Sequence, residues 1–392
     1  MKKLIVLHTE SLYSRGGEKY LFELFKRLSR KYSLIMYFHA LSPEWAEKYR
    51  KEKIEVRKLW KPKRYYWLLL PVTVLINVFS LKKQIKKTDV VYATGFPVNL
   101  IAVLISNKTI SHCFEPLPIF YDPIRISSLP PFSRLCVIIA RKLYAWLDVF
   151  AIRTSSRLTT LNVSVEKFIL ETYHRKPDAY IPNGVDTDFF RLKTGKIPAH
   201  FIKHPCIIGH STDYTIFKGT PYLLRALVTL VKKTKNFKVL ISESVADTGM
   251  KREYLSYIRA SGLKEHVVFV GNLSDTQLVT FYKHIDVFIF TGSHQSAGGA
   301  TASLSVIEAQ ACGTPVIRSI GNGDEIINHH TGFYINPSNP RQIADALYRF
   351  IYMPQKTRRT LRKNTRAYVL SQFTWKHAVS ALDVLISTLN SI

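Results

Sequence analysis

The stretch YIPNGVDTDFF, residues 180–190, is where one series of strands stops and a second begins. Pro182, Asn183-Gly184 and two aspartates make a turn-rich connector. Upstream, short apolar runs alternate with longer helical patterns. LIVLHT (4–9) leads to the helical GGEKYLFELFKRLSRK (16–31), then to SLIMYF (33–38), DVVYATG (89–95), TISHCF (109–114) and LTTLN (158–162). Downstream the pattern restarts with CIIGHS, KVLIS, VVFVG, DVFIFTG and PVIRS, again with helical sequence between. Such alternation builds parallel sheets with helices on both faces. The expectation is an α/β protein of two doubly wound domains, 1–180 and 181–375. Ligands of open sheets sit at the carboxyl ends of the strands, so two facing domains would put a cleft between them. The tail FTWKHAVSALDVLISTLNSI (373–392) is apolar at 375, 378, 382, 385, 386 and 389, an amphipathic helical spacing. Its segment 376–392 is expected to pack back on the first domain.

Bulk properties narrow the function classes. A chain of 392 residues exceeds one ordinary core. Its 56 Lys+Arg against 28 Asp+Glu give a formal charge of +28, which calls for an anionic partner: nucleic acid, an acidic lipid surface or a phosphorylated substrate. Cys113, Cys136, Cys206 and Cys312 are scattered without metal-ligand spacing, and a reduced, cytoplasmic chain is the simplest reading. MKKLIVLHTE is too short in apolar residues for a signal-peptide core and reads as a buried first strand. The longest apolar run, WLLLPVTVLINVF (67–79), falls short of the roughly 20 residues that span a bilayer and contains Pro71 and Asn77.

Five pieces carry candidate chemistry. Gly16-Gly17, between the first strand and its helix, leaves room for an anion at a helix N-terminus; a plain tight turn fits equally well. SHCFEP (111–116) places His112 and Glu115 at a strand's carboxyl end, where a ligand contact and a structural histidine are both open readings. GHSTDYTIFKGT (209–220) ends a strand, crosses a polar loop and opens a helix at Lys218-Gly219. A point charge beside free N–H groups suits a diphosphate, and a solvated lysine is the plain alternative. In SAGGATASLSVIEAQACGTPVI (296–317), Gly298, Gly299, Ala300 and Thr301 lead a helix that can hold phosphate oxygens, and Glu308 lies two turns on. An ionised carboxylate there can accept both hydroxyls of a ribose. In GNGDEIINHHTGF (321–333), Asp324-Glu325 are expected to begin a helix and His329-His330 to end it. Neighbouring helical residues diverge, so no metal site is expected.

IPNGVDTDFF, Lys218-Gly219, IEAQACGTPVI and GDEIINHHTGF, in this order and spacing, resemble the retaining glycosyltransferases of family 4. The likeness is dense from about residue 180 to 375 and thinner before that, where it rests on GGEKYLFEL (16–24) and His112. It implies a GT-B fold: two facing Rossmann-like domains, a deep interdomain cleft, and a C-terminal helix returned to the acceptor-binding first domain. It also implies sugar transfer from a nucleotide-sugar co-substrate, with retention and with neither metal nor cofactor. Carried over by position, Lys218 would neutralise the leaving diphosphate and Glu308 would hold the ribose. Gly16-Gly17 would line the donor phosphates, and His112 would lie near the reacting sugar. Two departures stand out. The family's arginine before the lysine is absent, leaving His210 or Ser211 as stand-ins. The first of its two glutamates, eight residues before Glu308, is Ala300. Sugar recognition would then fall to neutral groups such as Ser293, His294, Gln295 or Thr301.

Between Lys51 and Lys87 eleven lysines and arginines are interleaved with Trp60, Tyr65, Tyr66 and Trp67, against Glu52 and Glu55. That mixture suits an anionic lipid interface and a lipid-linked or membrane-associated glycan acceptor; an ordinary core helix at 66–81 between solvated lysines is the alternative. Other readings are open: the nearest is a GT-B phosphorylase or epimerase, and two lie further off. A non-catalytic GT-B protein that binds a sugar nucleotide or a partner would explain Ala300. A nucleic-acid-binding protein would explain the charge, but no recognised module is present, and no nucleic-acid partner is expected.

Overall fold

A computed structural model describes residues 2–12, 16–191, 206–215, 218–245, 247–292, 303–320 and 324–391. The chain forms two compact units, residues 1–182 with 375–392, and residues 183–374.

The first unit is built on a sheet of β1 (Lys3–Ser11), β2 (Ser33–Leu41), β3 (Glu55–Lys58), β4 (Val90–Thr94), β5 (Thr109–His112), β6 (Arg157–Thr160) and β7 (Ala179–Tyr180). Its order is β3-β2-β1-β4-β5-β6-β7, and every pairing is parallel. The unbroken apolar run Leu4–Leu7 is fully buried because both faces of a parallel sheet are covered. Alternate residues divide between two cores. Leu4 and Val6 face the helices Gly16–Leu28, Pro43–Lys51 and Trp375–Ser391. Ile5 and Leu7 face the helices Leu70–Lys82, Val98–Ile105 and Pro131–Thr154.

The second unit repeats the plan with β8 (Ile207–Thr212), β9 (Lys238–Glu243), β10 (Val267–Gly271), β11 (Val287–Phe290), β12 (Val316–Ser319) and β13 (Gly332–Ile335). The order is β10-β9-β8-β11-β12-β13, again all parallel. In each sheet the strand order reverses beside the first strand, between β1 and β4 and between β8 and β11. In doubly wound sheets that switch point opens a crevice at the carboxyl ends.

The strands β3, β7 and β13 lie outside the expected series. All three are short and outermost or next to an edge, where pairing on one side suffices and the apolar signal is weak. The helix expected from Asp324 to His330 is not formed. That stretch is bends and turns, closed by an isolated bridge between Asn328 and Gly332, with His329 at φ 62°. Among the described residues, no helix is long and apolar enough to cross a membrane.

The helix Trp375–Ser391 buries Trp375, Ala378, Leu382, Ile386 and Leu389 against the first unit. Trp375 lies against Tyr20, with ring centroids 5.9 Å apart, and the Arg27 guanidinium carbon lies over the Trp375 ring, 5.4 Å from its centroid. Asp383 accepts hydrogen bonds from the Tyr32 hydroxyl and the Lys31 ammonium, each at 2.6 Å. Leu382→Ala should therefore cost about 2–5 kcal/mol. Hydrogen exchange should speed up in β1, β2 and β4 while β8 and β11 keep their protection; equal acceleration in both sheets would contradict the assignment.

Candidate functional site

Among the described residues, Ser211, Lys218 and Gly219 lie at or just after the carboxyl end of β8. Ser211 of β8 pairs in register with Ser242 of β9, and their hydroxyls are 2.5 Å apart. Phe288 of β11 lies opposite Gly209 of β8, a register that sets Phe290 level with Ser211. Phe290 in turn lies opposite Arg318 of β12, and Arg318 opposite Tyr334 of β13. One row thus crosses the sheet: Ser242, Ser211, Phe290, Arg318, Tyr334.

Gly219 fixes how the next helix meets this row. Its φ is +73°, which favours glycine, and a Cβ there would lie 1.9 Å from the Thr291 carbonyl oxygen and 2.8 Å from the Gly292 nitrogen. The Thr291 hydroxyl donates to the Gly219 carbonyl at 2.8 Å. Helix Thr220–Lys233 therefore starts directly against the backbone that leaves β11. Gly219 is its N-cap and supplies no side-chain cap; Pro221 has no N–H and the Tyr222 N–H donates to the Gly219 carbonyl at 2.9 Å, so the Thr220 N–H carries the partial positive charge of the helix start. Lys218 is half-buried beside this start, with its ammonium 5.8 Å from the Phe290 ring centroid. Among the described residues it is paired with no carboxylate.

Glu308 sits in helix Leu304–Ala311, buried. Its Oε2 accepts a hydrogen bond from the Tyr282 hydroxyl at 3.1 Å. Burial, then the Glu308 charge, holds the Tyr282 phenol well above its ordinary pKa. The polar chain Ser242–Ser211 stands at the β8 end, and Tyr282–Glu308 forms a second one.

His210 takes a different part from the expected one. It is fully buried; its Nδ1 donates to the Ile289 carbonyl at 2.9 Å, and its Nε2 lies 3.0 Å from the Thr220 hydroxyl. That hydroxyl continues to the Thr212 hydroxyl at 2.8 Å. Burial lowers the pKa of the ring to about 4. With both nitrogens occupied and no charge, His210 does not replace an arginine; it ties β8 and β11 to the helix start. Ser211, half-buried at the strand end, belongs to the polar chain above. The calls on Gly298, Gly299, Ala300 and Thr301, and on Ser293, His294 and Gln295, lie outside the described residues.

A cation that the sequence reading passed over is Arg318. It is wholly buried, its guanidinium carbon 5.5 Å from the same Phe290 ring that Lys218 overlies, and it forms an ion pair with the equally buried Glu325. Glu325 in turn accepts from the Ser303 amide at 2.9 Å through Oε1, and its carbonyl accepts from the Gln310 side chain at 2.8 Å. The pair therefore anchors both ends of the helix that carries Glu308. Burial raises the Glu325 pKa, and the Arg318 charge opposes that rise. The visible signal is an arginine inside an otherwise apolar strand, PVIRS.

Residues 201–368 match the family model for glycosyl transferases group 1. An uncharacterized glycosyltransferase of Methanocaldococcus jannaschii is 30% identical over 164 residues, which is 41% of this chain and 39% of that one. The capsular polysaccharide biosynthesis glycosyltransferase CapM of Staphylococcus aureus is 26% identical over 211 residues, 53% of each chain. The chain spans about half the length of the curated relatives it matches. Among solved structures, Anabaena Alr3699/HepE in complex with UDP superposes with a TM-score of 0.77 at 18% identity, covering 99% of this chain and 100% of that one. The same protein has been solved with UDP-glucose, at a TM-score of 0.74 and 17% identity over 99% and 100% of the two chains. The fold is α/β of the GT-B class, two Rossmann-like units with parallel sheets.

In the first unit, Gly16 and Gly17 begin the helix that follows β1, beside the β1–β4 switch point, and both are exposed. A Cβ on Gly17 would meet nothing within 4 Å among the described residues, whose packing does not demand glycine there. His112, expected near the reacting sugar, ends β5. It is 1% exposed, stacked with Tyr20 and Tyr92 at 5.5 and 5.8 Å, and met edge-on by Phe114 at 4.6 Å. Its Nδ1 is 2.9 Å from the Thr159 hydroxyl, and burial lowers its pKa to about 3. Glu115 is likewise turned to protein, paired with Arg125 at 3.2 Å.

Two outcomes check this geometry. Gly219→Ala, forced into a left-handed backbone and against the Thr291 carbonyl, should lose about 2–4 kcal/mol of second-unit stability in urea unfolding. Arg318→Leu should cost about 3–5 kcal/mol by stranding a buried carboxylate. Adding Glu325→Gln, which keeps the acceptor for Ser303, should recover a large part of that loss; strictly additive losses would show the two charges uncoupled.

Proposed function

We propose that the chain is a retaining glycosyltransferase that moves a hexosyl group from a nucleotide-sugar donor to a lipid-linked or membrane-associated glycan. The second unit holds the donor and the first unit takes the acceptor. The observation that carries the reading is Lys218 set beside the start of helix Thr220–Lys233 at the switch point of the second sheet, with Glu308 on the helix that precedes β12. Loss of a nucleoside diphosphate builds negative charge at the leaving oxygens. A fixed ammonium and oriented amides stabilise that charge without reorganising when it appears.

Glu308 has the opposite task. As a carboxylate it accepts hydrogen bonds from the ribose hydroxyls. Tyr282 bonded to Oε2 fixes the rotation of the group, so its orientation is set before the ligand arrives. Arg318 and Glu325 hold the helix from which Glu308 projects, and Phe290 gives Lys218 an apolar floor that confines the ammonium. The chemistry assigned to these residues uses no metal and no resident cofactor. Among the described residues, no three His, Cys, Asp or Glu side chains gather as a metal set.

The UDP and UDP-glucose complexes of Alr3699/HepE make uridine donors the first to screen. A rise in melting temperature with UDP-, GDP- or ADP-sugars identifies the base, because ligand that binds only the folded state stabilises it. With that donor, released nucleoside diphosphate should fall at least about 100-fold in Lys218→Ala. Glu308→Ala should chiefly weaken donor binding. Turnover unchanged in both variants would remove the reading. Ala300, where such enzymes place an acid, favours a second reading: a non-catalytic sugar-nucleotide-binding protein. That protein would shift its melting temperature with donor yet release no diphosphate with any acceptor.

A further inference from the structure

We propose that the outer face of helix Pro131–Thr154 lies on an anionic lipid bilayer and docks the first unit there. The helix has 24 residues, and one side of it is ordinary: Val137, Ala140, Ala151 and Ile152 are buried against the unit. The other side is not. Phe132, Leu135, Ile139, Leu143, Trp146 and Phe150 are 44–78% exposed. Their spacing of three and four residues puts them on a single stripe along the helix. A surface helix normally turns charged residues to water, and a long apolar stripe turned outward marks a binding face.

The stripe is extended by its neighbours. Helices Leu70–Lys82 and Pro131–Thr154 both pack on helix Val98–Ile105, over the same face of the first sheet. Val72, Leu75 and Phe79 of Leu70–Lys82 and Leu104 of Val98–Ile105 are 41–66% exposed. The stretch read from sequence as either a core helix or a lipid contact is thus buried on one side and exposed on the other.

Charge selects the occupant. Arg134, Arg141, Lys142 and Arg153 on the long helix are exposed, as are Lys82, Lys83, Lys86 and Lys87 after the shorter one. The long helix has a single acid, Asp148, and it is buried and accepts a hydrogen bond from the Tyr173 hydroxyl at 3.0 Å. A second copy of this chain would bring two cationic faces together, which opposes self-association. An anionic bilayer meets both requirements at once: hydrocarbon for the stripe and phosphate for its basic borders. A cavity of about 590 Å³ beside the helix has the same two-part chemistry. Ile126, Val137 and Ile138 line it, and Arg134, Arg141 and Lys142 supply its charge, so an acyl segment fits below a phosphate.

The proposal goes beyond glycosyl transfer and does not depend on it, since binding to vesicles needs no donor. The full chain is mixed with phosphatidylcholine vesicles, or with phosphatidylcholine–phosphatidylglycerol vesicles, at low salt and pelleted. It should pellet with the anionic vesicles and far less with the neutral ones. Brominated acyl chains should quench tryptophan emission, and Trp146→Phe should remove most of that quenching. Leu143→Glu/Trp146→Glu and Arg141→Glu/Lys142→Glu alter exposed residues; each should keep the native melting temperature and bind at least about 10-fold more weakly. Three results would overturn the proposal: no pelleting at low salt, equal pelleting by wild type and both variants, or a wild-type dimer that Leu143→Glu/Trp146→Glu converts to monomer.

Discussion

The approach of Gly219 to the backbone of Thr291 and Gly292 is the constraint on which the candidate donor site rests. No side chain fits between the start of one helix and the exit of the neighbouring strand. The helix therefore begins at the one place in the sheet where strand order reverses, and its first amide, that of Thr220, follows closely on Lys218. His210 enforces the same geometry from below by bonding β11 through one nitrogen and the helix start through the other. Burial keeps the ring neutral in that double role.

Charge in this unit is handled by burial of pairs and isolation of singles. Arg318 and Glu325 neutralise one another inside the protein and anchor a helix. Lys218 has no such counterpart among the described residues. The contrast separates a cation used for architecture from one left available, although both lie against the same phenylalanine. In the first unit, histidine again serves the interior: His112 stacks among Tyr20, Tyr92 and Phe114 rather than presenting a proton-transfer group.

The alternation of strands and helices was readable because buried parallel strands are short, continuous apolar runs. Runs such as LIVL and DVFIF have no other economical explanation. Edge strands such as EVRK (55–58) escape that test, since one face and one side are open to water. Lys218-Gly219 and Glu308 could be picked out from loop–helix junctions and small flanking residues. Arg318 could not be assigned, because sequence shows an arginine in a strand but not the Glu325 carboxylate that lies beside it. His210 shows the reverse failure. A strand's carboxyl end predicts nearness to a crevice, but at His210, two positions further in, the ring turns to the core. The helix foreseen at 324–330 fails for a related reason. Glu325 is drawn inward to Arg318, and the chain around it turns to allow this.

The first unit is discontinuous in sequence: its last helix, Trp375–Ser391, is made only after the whole of the second unit. Until that helix leaves the ribosome, Tyr20, Leu24 and Leu28 lack part of their cover, and the nascent first unit carries an open apolar flank. Its final closure must then follow completion of the intervening unit, reversing the usual order in which N-terminal domains mature first. The interrupted layout thereby makes a finished second unit a precondition for a finished first one.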